Sequence, residues 1–147
     1  MHNLENLTKA AKIGFASQYT FFLKAQFMHW NVTGSDFQQL HALFEKIYTE
    51  VYESIDDFAE KIRSLGGYAP SSNTRFNVLS IIDDEQEVMP PEHMIAELLA
   101  DSDNMVTILK RVYDIAEAEG EHGFSNFLAE RMDAFRKHSW MLRATSK

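Results

Sequence analysis

The sequence predicts an all-α protein: four long helices joined by two tight links and one long crossover. Three observations carry that prediction. Apolar residues recur at intervals of three and four through most of the 147 positions. Glycines and prolines gather between those runs, and no stretch alternates apolar with polar residues as a half-buried strand does.

Helix A runs from Leu4 to about Asn31, with Leu4, Leu7, Ala11, Gly14, Phe21 and Met28 on one side. Val32, Thr33 and Gly34 break it, and Ser35 or Asp36 can cap the next helix by accepting a bond from an exposed backbone N–H. Helix B then reaches about Leu65. Its apolar stripe is the clearest in the chain: Phe37, Leu40, Phe44, Ile47, Val51, Ile55, Phe58, Ile62 and Leu65. Gly66 and Gly67 stop it, and the following segment to Pro91 is too long for a tight turn, with a short helix expected around Arg75 to Ile82. Helix C, from about Glu92 to Glu119, carries Ile95, Leu98, Leu99, Met105, Ile108, Leu109, Val112 and Ile115 behind an acidic first turn. Gly120 and Gly123 end it. Helix D, about Phe124 to Ala144, turns Phe127, Leu128, Met132, Phe135 and Leu142 inward.

A chain of this length, 45% hydrophobic and with 11 Phe, can bury one core without covalent help, so a single domain over residues 1–147 is expected. The absence of Cys excludes thiol nucleophiles, thiolate metal sites and disulfides. The opening MHNLENLTKAAK carries charges and no apolar signal region, and no segment approaches eighteen uninterrupted apolar residues. The expectation is a soluble, unprocessed, cytoplasmic protein that makes no use of a membrane. Net charge is −8, so the mean field favours cations and repels phosphate backbones. No Lys/Arg run opposes that field.

The chemistry lies on helix B. With His41 at the origin of a helical wheel, Glu45 falls at about +40°, Asp56 at about +60° and Glu60 at about +100°, while the apolar stripe centres at about −80°. These polar groups flank the core. An imidazole and a carboxylate one turn apart suit Fe, Mn or Zn, although either pair alone is commonly just a solvated contact. Fifteen residues separate His41 from Asp56, about 22 Å along a helix, so one chain cannot bring both pairs to one ion. Two copies can. His41 and Glu60, like Glu45 and Asp56, lie symmetrically about a point near Glu50 and Val51, so two antiparallel copies of helix B crossing there bring the pairs together in two identical sites. Tyr48 and Tyr52 between them are expected to pack at the interface, and Trp30 in the core.

The stretch HWNVTGSDFQQLHALFEKIYTEVYESIDDFAEKIRSLGG, His29 to Gly67, closely resembles the signature of the Dps family of twelve-subunit mini-ferritins. The helical layout, ferritin-like in having only its B-to-C link long enough to cross the bundle, extends the resemblance over nearly the whole chain. It implies an intersubunit ferroxidase site, which by match comprises His29, His41, Glu45, Asp56 and Glu60; His29 comes from the resemblance alone. It also implies two irons per site, Fe(II) oxidation by hydrogen peroxide in preference to oxygen, and storage of Fe(III) mineral inside a homododecamer built from two-fold dimers. Trp30 matches a family tryptophan associated with electron relay.

Two departures from the family pattern bear on function. Many members bind DNA through a basic tail, whereas about three residues precede helix A here and only Arg143 and Lys147 follow helix D. Twelve copies at −8 each carry roughly −96, so DNA binding is expected to be weak or absent, and a nucleoid-protecting role is the alternative. The family's acidic three-fold pore is matched by His122, Asn126 and Glu130, with Glu119 and Glu121 as compensating carboxylates. Glu119 and His122 also spell Glu-x-x-His, which bundle-core di-iron sites use, but the motif straddles Gly120 and lacks partner carboxylates on other helices.

Overall fold

The computed structural model describes residues 4–146; Lys147, counted above as a basic residue, lies outside them. Six helices follow one another: α1 (Glu5–Asn31), α2 (Phe37–Glu53), α3 (Ile55–Ser64), α4 (Asn73–Leu79), α5 (Pro91–Ala118) and α6 (His122–Thr145). No strand occurs among the described residues. Helices α2 and α3 divide the predicted helix B at Ser54, so the bundle consists of α1, α2–α3, α5 and α6.

Contacts fix the directions. The start of α1 meets the end of α5, where Val112 and Leu109 lie against Gly14, and the end of α1 meets the start of α5 through Lys24 and Asp101. Along α6, Arg131 reaches Gln18 and Phe135 packs on Phe21, so α1 and α6 run parallel. Glu50 faces Arg131 and His138 while Phe58 faces Phe124 and Phe127, which sets α2–α3 antiparallel to α6. It follows that α2–α3 and α5 are parallel to each other. Two consecutive bundle helices running the same way require a crossover the length of the bundle, which residues 65–90 supply.

The core follows the predicted stripes. Phe21, Phe44, Phe58 and Phe135 are its largest fully enclosed side chains, with Leu7, Met28, Ile47, Ile62, Leu98, Met105 and Leu109 around them. Phe15, Phe58, Phe124 and Phe127 form an edge-to-face cluster at one end. In the crossover α4 begins earlier than expected because Ser72 caps it, accepting from the Arg75 amide at 3.1 Å. Phe76 then stacks on Tyr19 with 4.4 Å between ring centres, and the Ile81 amide donates to Ser17 Oγ at 2.9 Å, so the crossover is tied to α1.

Gly66 and Gly120 both adopt positive φ, +94° and +73°, just beyond α3 and α5. In each case the next amide bonds a carbonyl five residues back, Gly67 to Ile62 and Glu121 to Ala116, which closes the helix end.

Three expectations need correction. Asp36 stands at the cap position of α2 without its side chain bonding an amide. Phe37, in the first turn of α2, is 39% exposed and stacks on His41, one turn on, instead of entering the core. Trp30 is 64% exposed, since it follows the inward His29 by one residue and so points about 100° away.

Candidate metal centre

At the top of the bundle the last turn of α1 meets the first turns of α2. His29 and His41 face each other there, their rings stacked 3.8 Å apart at 16°. Each imidazole reaches the other's backbone: His29 Nδ1 lies 2.7 Å from the His41 carbonyl, and His41 Nδ1 lies 2.8 Å from the His29 carbonyl. A carbonyl only accepts, so each Nδ1 donates its proton there, which leaves Nε2 as the ring nitrogen through which either imidazole can take a metal. Phe37 covers the far face of His41 at 4.9 Å, and Tyr48 flanks His29 at 5.2 Å. Phe37, His41 and His29 make one stack, and Tyr48 closes it with a ring tilted by 57°.

Glu45, one turn beyond His41, brings Oε1 to 3.5 Å from His29 Nε2, and its side chain remains 58% exposed. The buried His29 imidazole and the exposed Glu45 carboxylate thus meet at the edge of the chain, with His41 stacked behind His29. Asp56 and Glu60 stand elsewhere, exposed on α3. Asp56 lies with Asp57 in the first turn of that helix and Lys61 with Arg63 in the last, an order that also suits the helix dipole. Among the described residues of one chain, no three His, Asp or Glu side chains converge as a finished metal site.

The other predicted positions cluster where α5 turns into α6. Glu121 precedes the first residue of α6, and His122, Asn126 and Glu130 are exposed on its first turns. His122 Nδ1 lies 3.1 Å from Glu117 Oε2, while Ser125 donates to Glu117 Oε1 at 2.8 Å. The Ser125 bond, with the imidazole beside it, holds the Glu117 carboxyl below its usual range. His122 and Asn126 border a pocket of about 440 Å³ with Tyr113 and Glu117. Glu117 was not predicted here, because the pore positions came from the family resemblance at the start of helix D and Glu117 lies on the preceding helix.

Residues 13–147 match the ferritin-like domain family. DNA protection during starvation protein 2 of Bacillus anthracis is 32% identical over 123 residues, covering 84% of this chain and 84% of its own. The chain belongs to the Dps family. Solved Dps structures share its fold: that of Bacillus brevis superposes with a TM-score of 0.95 at 26% identity over 100% of both chains. Dps from Staphylococcus aureus gives 0.93 at 26% identity over 100% of this chain and 99% of its own. Dps from Vibrio cholerae, described as a member of a broad superfamily of ferritin-like diiron-carboxylate proteins, gives 0.92 at 25% identity, covering 97% and 90%.

This Dps chain also buries polar groups that its sequence pattern did not flag. Arg131 forks onto Glu50 at 2.5 and 3.2 Å, and His138 Nε2 donates to Glu50 Oε1 at 2.7 Å. Burial alone would push the Glu50 carboxyl up, but the hydrogen bonds from His138 and Arg131, with the Arg131 and His138 charges, outweigh it and hold the pKa at about 2 against an ordinary 4.5. Lys24, almost fully enclosed, lies 2.6 Å from Asp101 and 3.7 Å from Glu97. In the middle of the bundle, where ferritin-like folds can hold a metal pair, this chain thus places a guanidinium.

Proposed function

We propose that this Dps protein oxidises Fe(II) at sites completed between two copies of the chain and stores the Fe(III) product as mineral within a hollow shell of twelve. The observation that carries the reading is the reciprocal latch between His29 and His41. It commits both Nδ1 protons to backbone carbonyls and leaves each Nε2 for a metal, that of His29 3.5 Å from the Glu45 carboxylate, donor types that a divalent transition metal accepts. Asp56 and Glu60 of a two-fold-related copy would complete each site, with room for two irons.

Iron is the substrate. Hydrogen peroxide takes two electrons and two protons to become two waters, and two Fe(II) supply the electrons, so a paired site consumes peroxide without a one-electron radical product. The carboxylates stabilise the rising charge on iron, and Trp30, beside His29, is the candidate for relaying an electron. Iron would reach the interior past Glu121, His122, Asn126 and Glu130, with Glu117 adding a carboxylate. No helix among the described residues is long and apolar enough to cross a membrane.

Anaerobic Fe(II) titration followed by peroxide addition tests the proposal. Wild type should bind Fe(II) saturably and oxidise it rapidly, whereas His41→Ala should lose rapid oxidation by a factor of about 100 or more while staying helical. Absence of saturable Fe(II) binding in wild type would remove the ferroxidase reading.

The names of relatives such as the Bacillus anthracis protein favour a second reading, direct protection of DNA. The net charge of −8 opposes it. Tight duplex binding in a mobility-shift assay at about 150 mM salt would restore it.

A further inference from the structure

The two halves of the proposed split site ride on different helices. His41 and Glu45 belong to α2, Asp56 and Glu60 to α3, and Ser54 stands between. The backbone there leaves the plain α pattern: the Ser54 amide bonds the Val51 carbonyl, three residues back, at 3.1 Å. Regular bonding resumes when the Phe58 amide takes the Ser54 carbonyl at 3.1 Å. The Ser54 hydroxyl donates to the same Val51 carbonyl at 2.7 Å and accepts from Gln18 Nε2 at 2.7 Å. Gln18 is wholly buried on α1, and its Oε1 accepts from Arg131 Nε at 3.3 Å. A serine hydroxyl that competes for a helical carbonyl bends the helix, and here a side chain from another helix fixes that serine in place.

We propose that Ser54, held by Gln18, is a positioning residue that sets the angle between α2 and α3 and so the fit of Asp56 and Glu60 against His29, His41 and Glu45 of a second copy. The inference rests on the split-site reading. Magnitudes favour it. Glu60 lies six residues past Ser54, about 9 Å along the axis, so a bend changed by about 10° swings it about 1.5 Å, whereas metal–ligand distances tolerate about 0.2 Å. The rest of the polar network cannot substitute. Arg131 and His138 hold Glu50, which is on the α2 side of the bend, and Phe58 anchors α3 on its own side.

Anaerobic Co(II) titration of the assembled protein, read by visible absorption, tests this without any turnover. Ser54→Ala and Gln18→Met should each weaken Co(II) binding by about 10- to 100-fold, and Ser54→Thr, which keeps the hydroxyl, should restore it to within about threefold. Ser139→Ala, which breaks the buried Ser139–Ser102 bond elsewhere in the bundle, should lower thermal stability and leave Co(II) affinity unchanged. Wild-type affinity in Ser54→Ala would overturn the positioning role while leaving the split site intact. No saturable Co(II) uptake in wild type would overturn both. Gln18→Met decides the matter if Ser54→Ala does not fold.

Discussion

Glu50 is held from α6 by two side chains one heptad apart, and its side chain is still 38% exposed at the bundle surface. A carboxyl whose folded pKa lies below its unfolded one contributes stability that is complete above the unfolded value and is lost as pH falls through the folded one. The stability difference between wild type and Glu50→Gln should therefore shrink as pH falls between 4.5 and about 2, as measured by urea unfolding at each pH. Asp101, whose carboxyl burial pushes up despite Lys24, runs the opposite way, but it is common to both proteins and cancels in the difference. Arg131→Met should cost about 2 kcal/mol, below the 3–5 typical of fully buried pairs, because Glu50 can turn partly to water. These residues stand on the apolar stripes, Arg131 and His138 continuing the spacing of Phe124, Leu128, Phe135 and Leu142, and Asp101 that of Leu98 and Met105, but a search for apolar residues passed over them. Nor were their partners legible, since which carboxylate faces them depends on how the helices are assembled.

The helices themselves could be read from apolar spacing and from their stops. Gly120→Ala should destabilise by about 1 kcal/mol, purely through backbone strain at φ +73°, since an added Cβ there meets nothing within 4 Å. Gly123→Ala, inside the first turn of α6 and equally open, should instead stabilise by about 0.5 kcal/mol. Thermal unfolding of the two variants should move in opposite directions. What spacing could not show was the interruption at Ser54. Nothing in the local run Tyr52 to Asp56 forbids a helix, and the break depends on Gln18 arriving from α1. Phe37 misled for a related reason. Its place on the stripe was right, but in the first turn of α2 its ring stacks on His41, one turn on, and stays 39% exposed.

At the scale of the assembly, the proposed shell of twelve chains of 16.9 kDa predicts a solution mass of about 200 kDa, which sedimentation can check. The split site predicts complementation. His41→Ala and Asp56→Ala are each inactive alone, yet after subunit exchange a mixed dimer holds one intact site and one doubly defective site. Random mixing should then restore about a quarter of wild-type oxidation, and none after proven exchange would place all the ligands in one chain. That proposed two-fold arrangement comes from the sequence alone, in the symmetric spacing of His41, Glu45, Asp56 and Glu60 along one helix. The sequence was silent on what prepares the ligands. The latch between His29 and His41 consists only of backbone carbonyls and ring stacking, and so is in place with no cation bound. The half-site on each chain is thereby built before the proposed interface is loaded: a chelator should leave His29 and His41 latched and ready-set for the next ion, even where it loosens the contact between copies.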